Sequence, residues 1–412
     1  MQLQQVSSAA ADGCGFSVWR TAPALSVWLC AFGLVVSCSS TIQPAPADAR
    51  SAQTPAPNAS PIEVPLAPSV ALLPRQLVAT GLANPRGMYL QSDGSLLVAV
   101  AGTGDPKDPL TGGILRLHDA NGDGDFDDPD ERKALLDRQP SRNLFDLVRR
   151  DEVFGMSGMA FGGGELLVSL ANFGGPSKLF SISGDAVQPW SNTSGNVNDL
   201  DYDARRKVWV GVASTTDELV ELPPGGRAQR IAKFPPLQSG QDAVPAYLHY
   251  DPYSGDVLVT LFSGSPEGEE GGKGVELIAR AASIVSVHAE TRSVTPAVVA
   301  LTVPTDLELD PQGAIYVLEF CDAFIEPITS REQMQAGPLH GGFKRFSGRL
   351  LRVDRINRTV SVVAQGLDAP TNLTLANGYL YIAQGMGTPG RLIPRPDGTS
   401  APLTGFIERI KL

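Results

Sequence analysis

One short pattern, written about six times along the chain, limits what the chain can fold into. It is an inner strand, a tight turn and a returning strand. Its plainest copy runs from Val303 to Phe320 and reads VPTDLELDPQGAIYVLEF. Thr305 to Leu309 alternates in character, with Leu307 and Leu309 on one face. Asp310-Pro311-Gln312-Gly313 makes the turn, proline fixing one φ and glycine free to take a positive one. Ala314 to Phe320 is rich in β-branched and aromatic residues and returns as a strand. The other copies begin at Pro85, Ser157, Asn198, Ala246 and Pro370, with turns near Gly94, Gly163, Arg205, Gly255 and Gly378.

The copies recur roughly every 40 to 70 residues, the period of repeats built from four short strands. A third strand follows each hairpin, at Gly113 to His118, Ser177 to Ile182, Glu218 to Leu222, Ser283 to His288, Arg349 to Asp354 and Arg391 to Pro394. Fourth strands are expected at Lys133 to Leu136, Arg230 to Phe234, Ala297 to Leu301 and Thr359 to Ala364. The expected fold is therefore all-β, a six-bladed β-propeller of four-stranded antiparallel blades. Gln76 to Pro85 matches the end of a repeat, Ser361 to Pro370, although it precedes the first hairpin. A repeat end at the N-terminus predicts ring closure, with that segment completing the last blade beside Leu403 to Ile410 and leaving no open sheet edge.

Ahead of the repeats the composition changes. Thr21 to Ser37 is apolar, too short for a membrane span and of the length of a signal h-region. It ends in Leu34-Val35-Val36-Ser37-Cys38, which resembles a bacterial lipobox. Residues 1–38 are thus expected to be a lipoprotein-type signal peptide, with lipidation at Cys38. Residues 39–74, rich in Ala, Pro, Ser and Thr, are expected to be a flexible linker, and residues 75–412 the propeller. This predicts an extracytoplasmic protein, lipid-anchored in the cell envelope or secreted, that meets the membrane through its anchor alone. The net charge of −11 and the lack of a basic stripe argue against nucleic-acid binding. Beyond Cys38 only Cys321 remains, so the mature chain has no intramolecular disulfide.

The sharpest chemical signal is Asp119 to Glu131, DANGDGDFDDPDE. Oxygen ligands at alternate residues let a tight loop wrap a hard cation, and Gly124 permits the central turn. Asp119, Asn121, Asp123 and the Asp125 carbonyl fill the first ligand positions. Asp130 takes the closing position, with Glu131 one residue late. A structural calcium is expected, in a loop joining the third and fourth strands of the first blade.

Two further regions invite function. Long insertions at 102–112, 137–156 (with a short helical piece near Asn143 to Arg150), 235–245, 263–282 and 321–348 fall on one face and suggest a covered binding face. A small molecule or an envelope protein is the expected partner there. The inner strands bring Asp199, Asp201, His249, Asp306 and Glu308 toward the axis, and the second strands add Glu319. Clustered carboxylates either bind a cation or raise one another's pKa; the same residues also serve to bridge blades. His340 reads as a loop residue.

On Gly81-Leu82-x-x-Pro85-Arg86-Gly87, Pro304-Thr305-Asp306-Leu307, Asp310-x-x-Gly313-Ala314-Ile315-Tyr316-Val317 with Glu319, and Gly366-Leu367-x-x-Pro370-Thr371, the chain resembles the ScyD/ScyE family of propellers within the wider NHL and gluconolactonase-like group. That family brings no assigned reaction, and the sequence leaves open whether any catalysis occurs. A ligand- or protein-binding module is the first reading. The calcium-type loop also looks like loops of sugar dehydrogenases that use pyrroloquinoline quinone (PQQ), for which Arg86, Lys273, Arg331 and Lys344 are the candidate cations. Lactonases of the gluconolactonase type carry a Glu, Asn, Asp metal set where this chain has Arg86, Ser157, Asn198, Ala246, Thr305 and Thr371. A metal-dependent hydrolase would instead need Asp306, Glu308 and Glu319 around an ion.

Overall fold

The computed structural model describes residues 60–145, 151–172, 176–193, 195–238, 240–262, 278–322, 344–395 and 397–412. The expected signal segment with Cys38 and most of the expected linker lie outside them. So do Lys273, Arg331, His340 and residues 146–150 of the expected helical piece; Asn143 itself ends a two-residue strand, Arg142–Asn143, paired with Val153–Phe154.

Six antiparallel sheets form the six-bladed propeller. Blade one is Pro85–Leu90, Leu96–Val100, Gly112–Leu117 and Arg132–Gln139. Blade two is Met156–Gly162, Glu165–Leu170, Lys178–Ser183 and Ala186–Asn192. Blade three is Val197–Asp203, Val208–Ala213, Glu218–Leu222 and Gln229–Lys233. Blade four is Pro245–Tyr250, Val257–Leu261, Ala282–His288 and Ser293–Leu301, and blade five is Pro304–Leu309, Ile315–Glu319, Gly348–Asp354 and Thr359–Leu367. The inner strands contact one another in ring order, the sixth meeting the first.

Blade six shows the closure. Its strands are Asn372–Ala376, Tyr379–Gln384, Gly405–Lys411 and, outermost, Arg75–Leu82. The last two run antiparallel, Arg75 opposite Ile410 and Leu82 opposite Gly405. The expected third strand at Arg391 to Pro394 is corrected. Leu392–Pro394 pairs with Ser400–Pro402 in a separate small hairpin. Pro394 has no N–H to give a ladder, and the Arg395 N–H to Thr399 carbonyl bond turns the chain back on itself.

The core is divided among the blade interfaces, because each blade is apolar on both faces. Leu258, Ile284 and Val298 of blade four meet Leu307, Val317 and Leu351 of blade five. Val78, Tyr381 and Ile407 of blade six meet Met88, Leu96 and Val98 of blade one. The remaining neighbours share clusters of the same kind.

Residues 60–74, expected to be flexible linker, are ordered as a strap. Ile62–Glu63 adds a parallel strand to the outer edge of blade four, and Ser69–Val70 does the same on blade five. Ile62 and Val64 are buried in the interface of those blades. Arg280 donates to the Val64 carbonyl at 2.7 Å, and Arg358 to those of Ser60 and Pro61, each at 2.9 Å. Pro61, Pro65, Pro68 and Pro74 remove donors at close intervals, which keeps each pairing short. A chain truncated to begin at Leu73 is expected to fold, since ring closure survives, but to lose about 3–6 kcal/mol of unfolding free energy, the transfer value of two buried aliphatic side chains. Denaturant melts of the two forms test this; equal midpoints would show that the strap contributes nothing.

Candidate functional site

The period of two along the inner strands puts Asp199 and Asp201 on one face of blade three, and Asp306 and Glu308 on one face of blade five. Each carboxylate reaches the next blade. Asp199 accepts the Leu248 N–H at 3.1 Å and Asp201 the Tyr250 N–H at 2.7 Å. Asp306 accepts the Leu373 N–H at 2.7 Å and the Asn372 amide at 2.6 Å, and Glu308 the Leu375 N–H at 3.2 Å. These four acids latch blade three to blade four and blade five to blade six. Gly158 makes room for one latch: a Cβ there would lie 2.0 Å from Asp199 Oδ1.

Burial sets their electrostatics. Desolvation pushes Asp199 up to about 8 and Glu308 up to about 7, and holds Asp306 well above the usual carboxylate range, with the Asp199 charge adding to the effect on Asp306. The upper channel is filled by side chains. Arg86 of blade one donates to the Val153 carbonyl at 2.7 Å and lies against Tyr247 of blade four, the opposite blade. Burial raises the Tyr247 phenol, and Arg86 works against that rise.

Lower down, Asp201, His249 and Glu308 form a partly open mouth on the face that carries the turns between first and second strands. His249 Nδ1 stands 3.4 Å from Asp201 Oδ2. Burial disfavours the charged ring, yet Glu308 and Asp201 hold its pKa above the ordinary value. From this mouth a cleft of about 730 Å³ runs outward between blades five and six. Tyr253, Leu309, Tyr316 and Leu375 line it, His249 stands at its inner end, and Arg352 is on its wall. The cleft is assembled from turns of three blades and the strap residue Leu73, so no local sequence signal marks it.

Glu319 does not join the axial group. It faces its cross-strand partner Arg349, with which it forms an ion pair, and accepts the Thr302 N–H at 2.6 Å. The set of Asp306, Glu308 and Glu319 required for a hydrolase is therefore not assembled. At two positions of the lactonase set, the Thr305 and Thr371 hydroxyls are bonded to the Pro370 and Pro85 carbonyls of the following blades. Of the cations considered for a quinone, Arg86 is held in the channel and Lys344 is exposed.

The acidic loop of blade one brings Asp119, Asp123 and Glu131 together, one carboxylate oxygen of each within 4.8 Å of the others. Glu131, expected to fall one residue late, is buried and fixed by the Ala120 N–H at 2.9 Å, whereas Asp130 stays outside the group. Asp119 accepts the Gly122 and Gly124 N–H groups, both glycines at positive φ. The Asn121 amide donates to Asp123 and Asp128, and Asp125 Oδ1 accepts the Asp127 N–H. Asp127 accepts from Thr80 and pairs with Arg132, tying the loop to the closing strand of blade six.

No protein-family model matches the chain, and no curated protein matches it in sequence. Similar solved structures include a protein of unknown function from Bacteroides thetaiotaomicron, with 11% identity, TM-score 0.49 and coverage of 82% of this chain and 75% of that one. A putative oxidoreductase (glucose dehydrogenase) from Thermus thermophilus has 14% identity, TM-score 0.47 and coverage of 82% and 99%. Catalytically inactive virginiamycin B lyase from Staphylococcus aureus has 8% identity, TM-score 0.43 and coverage of 82% and 99%. These likenesses say nothing about a shared site or reaction.

Asp199, Glu308 and His249 all have folded pKa values above their ordinary ones. Each favours the native state in its protonated form and withdraws that support as pH rises through the folded value. The melting temperature should therefore fall between about pH 5 and about pH 9, above the range where exposed carboxylates titrate. Asp199→Asn keeps an acceptor for Leu248 and should flatten the fall. An unchanged slope in that variant would remove Asp199 from the account.

Proposed function

We propose that this chain is a ScyD/ScyE-like propeller, envelope-anchored or secreted, that acts as a ligand-binding module stiffened by one structural calcium. One observation supports binding over catalysis most directly. The axial carboxylates are committed to latching blades, while His249 stands at the end of a cleft whose walls include Leu309, Leu375, Tyr253 and Tyr316. A cleft of about 730 Å³ falls in the range of small-molecule sites, and an apolar wall with a few polar groups is their usual lining. With Nδ1 3.4 Å from Asp201 Oδ2, Nε2 is the ring nitrogen left to meet a polar group of a ligand. The ligand is thus a compact molecule with an apolar body and an oxygen-bearing head group.

The calcium reading rests on Glu131. A buried carboxylate beside two more, with Arg132 already paired to Asp127, is stabilised by a hard cation. Asp119, Asp123 and Glu131 would hold the ion, which would cross-brace blade one against the closing strand.

Two measurements test these readings. Elemental mass spectrometry should find one calcium per chain, lost in Asp123→Ala and Glu131→Ala but retained in Asp130→Ala; loss in Asp130→Ala alone would restore the regular twelve-residue loop. Thermal-shift screening with aromatic and aliphatic carboxylates and their methyl esters should give stabilising hits that vanish in Leu375→Trp, which fills the cleft. Hits that persist in Leu375→Trp, or a panel without hits, would reject the cleft as the binding site.

A further inference from the structure

A second cavity, of about 460 Å³, lies on the flank between blades five and six, beside the hairpin of Leu392–Pro394 and Ser400–Pro402. It shares no lining residue with the cleft at His249. Two phenylalanines, Phe346 and Phe406, contribute to its walls. Phe346 sits at φ +55, a left-handed conformation that a bulky residue rarely adopts and that the surroundings must enforce.

The polar lining has a definite character. Arg75, Gln384, Glu408, Arg395 and Asp397 are all planar groups able to make paired hydrogen bonds. Gln384 is buried and fixed at both ends: its Oε1 accepts the Asp368 N–H at 2.9 Å, and its Nε2 donates to Glu408 Oε2 at 2.7 Å. Arg75 donates to the same oxygen at 2.9 Å. No hydrogen bond among the described residues takes Glu408 Oε1. The charges cancel in pairs, Arg75 with Glu408, Arg345 with the lining residue Asp368, and Arg395 with Asp397 on the hairpin.

A wall of balanced charge exerts little net pull on an ion, while offering donors and acceptors in adjacent pairs. Vicinal hydroxyl groups match such pairs, and the faces of aromatic rings match the C–H face of a pyranose. We propose that this cavity is a carbohydrate subsite, sized for one or two sugar units, with Phe346 and Phe406 against the ring and Glu408, Arg395 and Asp397 on the hydroxyls.

Ligand-observed saturation-transfer NMR on the full chain tests this, with glucose, galactose, mannose, N-acetylglucosamine and cellobiose as probes and citrate as an anionic control. At least one sugar should bind and citrate should not. Binding should weaken about tenfold in Phe406→Ala and in the exposed double change Arg395→Ala/Asp397→Ala, as expected for lost stacking and lost hydrogen bonds. The double change lies on a surface hairpin, and an unaltered melting temperature confirms its fold. No signal from any sugar, a signal unchanged in both variants, or binding of citrate in preference to sugars would overturn the proposal.

Discussion

The pairing of Arg75–Leu82 with Gly405–Lys411 is the constraint on which the rest of the molecule depends. Among the described residues, every apolar cluster is shared between blades, six of them by two neighbours and one by three, so no blade can be removed without exposing its neighbours. A ring with a gap would leave two such faces in water and an unpaired strand edge. The closing strand prevents both, and it is held from three directions: by the C-terminal strand, by Asp127 of the acidic loop, and by the strap that precedes it.

The axial carboxylates follow from that closed geometry. Inner strands in a tight ring bring the backbone of one blade within side-chain reach of the next. Asp199, Asp201, Asp306 and Glu308 use this reach to satisfy N–H groups that would otherwise point into a narrow, poorly hydrated channel. The cost is desolvation of the acids, which is why Asp199, Asp306 and Glu308 bind protons more tightly than free carboxyls do. Such latches tie neighbouring inner strands together at the axis.

The fold was legible because the repeat carries its own evidence. Alternation in Thr305 to Leu309 and the turn at Asp310 to Gly313 fix both strand and return. The convergence of Asp199, Asp201, His249, Asp306 and Glu308 was legible from the same alternation. Glu319 was misplaced because a residue at the end of a second strand faces its cross-strand partner, and no local pattern names Arg349 as that partner. The order of residues 60–74 was hidden by composition, since Ile62 and Val64 are two apolar residues among many prolines and alanines. Glu131 was set aside because a twelve-residue count ends at Asp130, whereas the buried carboxylate grouped with Asp119 and Asp123 lies one residue later. The two cavities were invisible for a different reason: their walls combine segments that lie up to more than 300 positions apart.

The closure also sets an order of events in time. The chain is made from its N-terminus, so Arg75–Leu82 and the strap exist long before their partners. The outer position in blade six does not exist until residue 411 has been made, and the strap's positions on blades four and five wait on their outer strands. The first described segment to be synthesised is therefore among the last to be placed. Contacts spanning nearly the whole chain fold slowly and leave partly built blades exposed meanwhile. The ring can therefore close only once the chain has its full length.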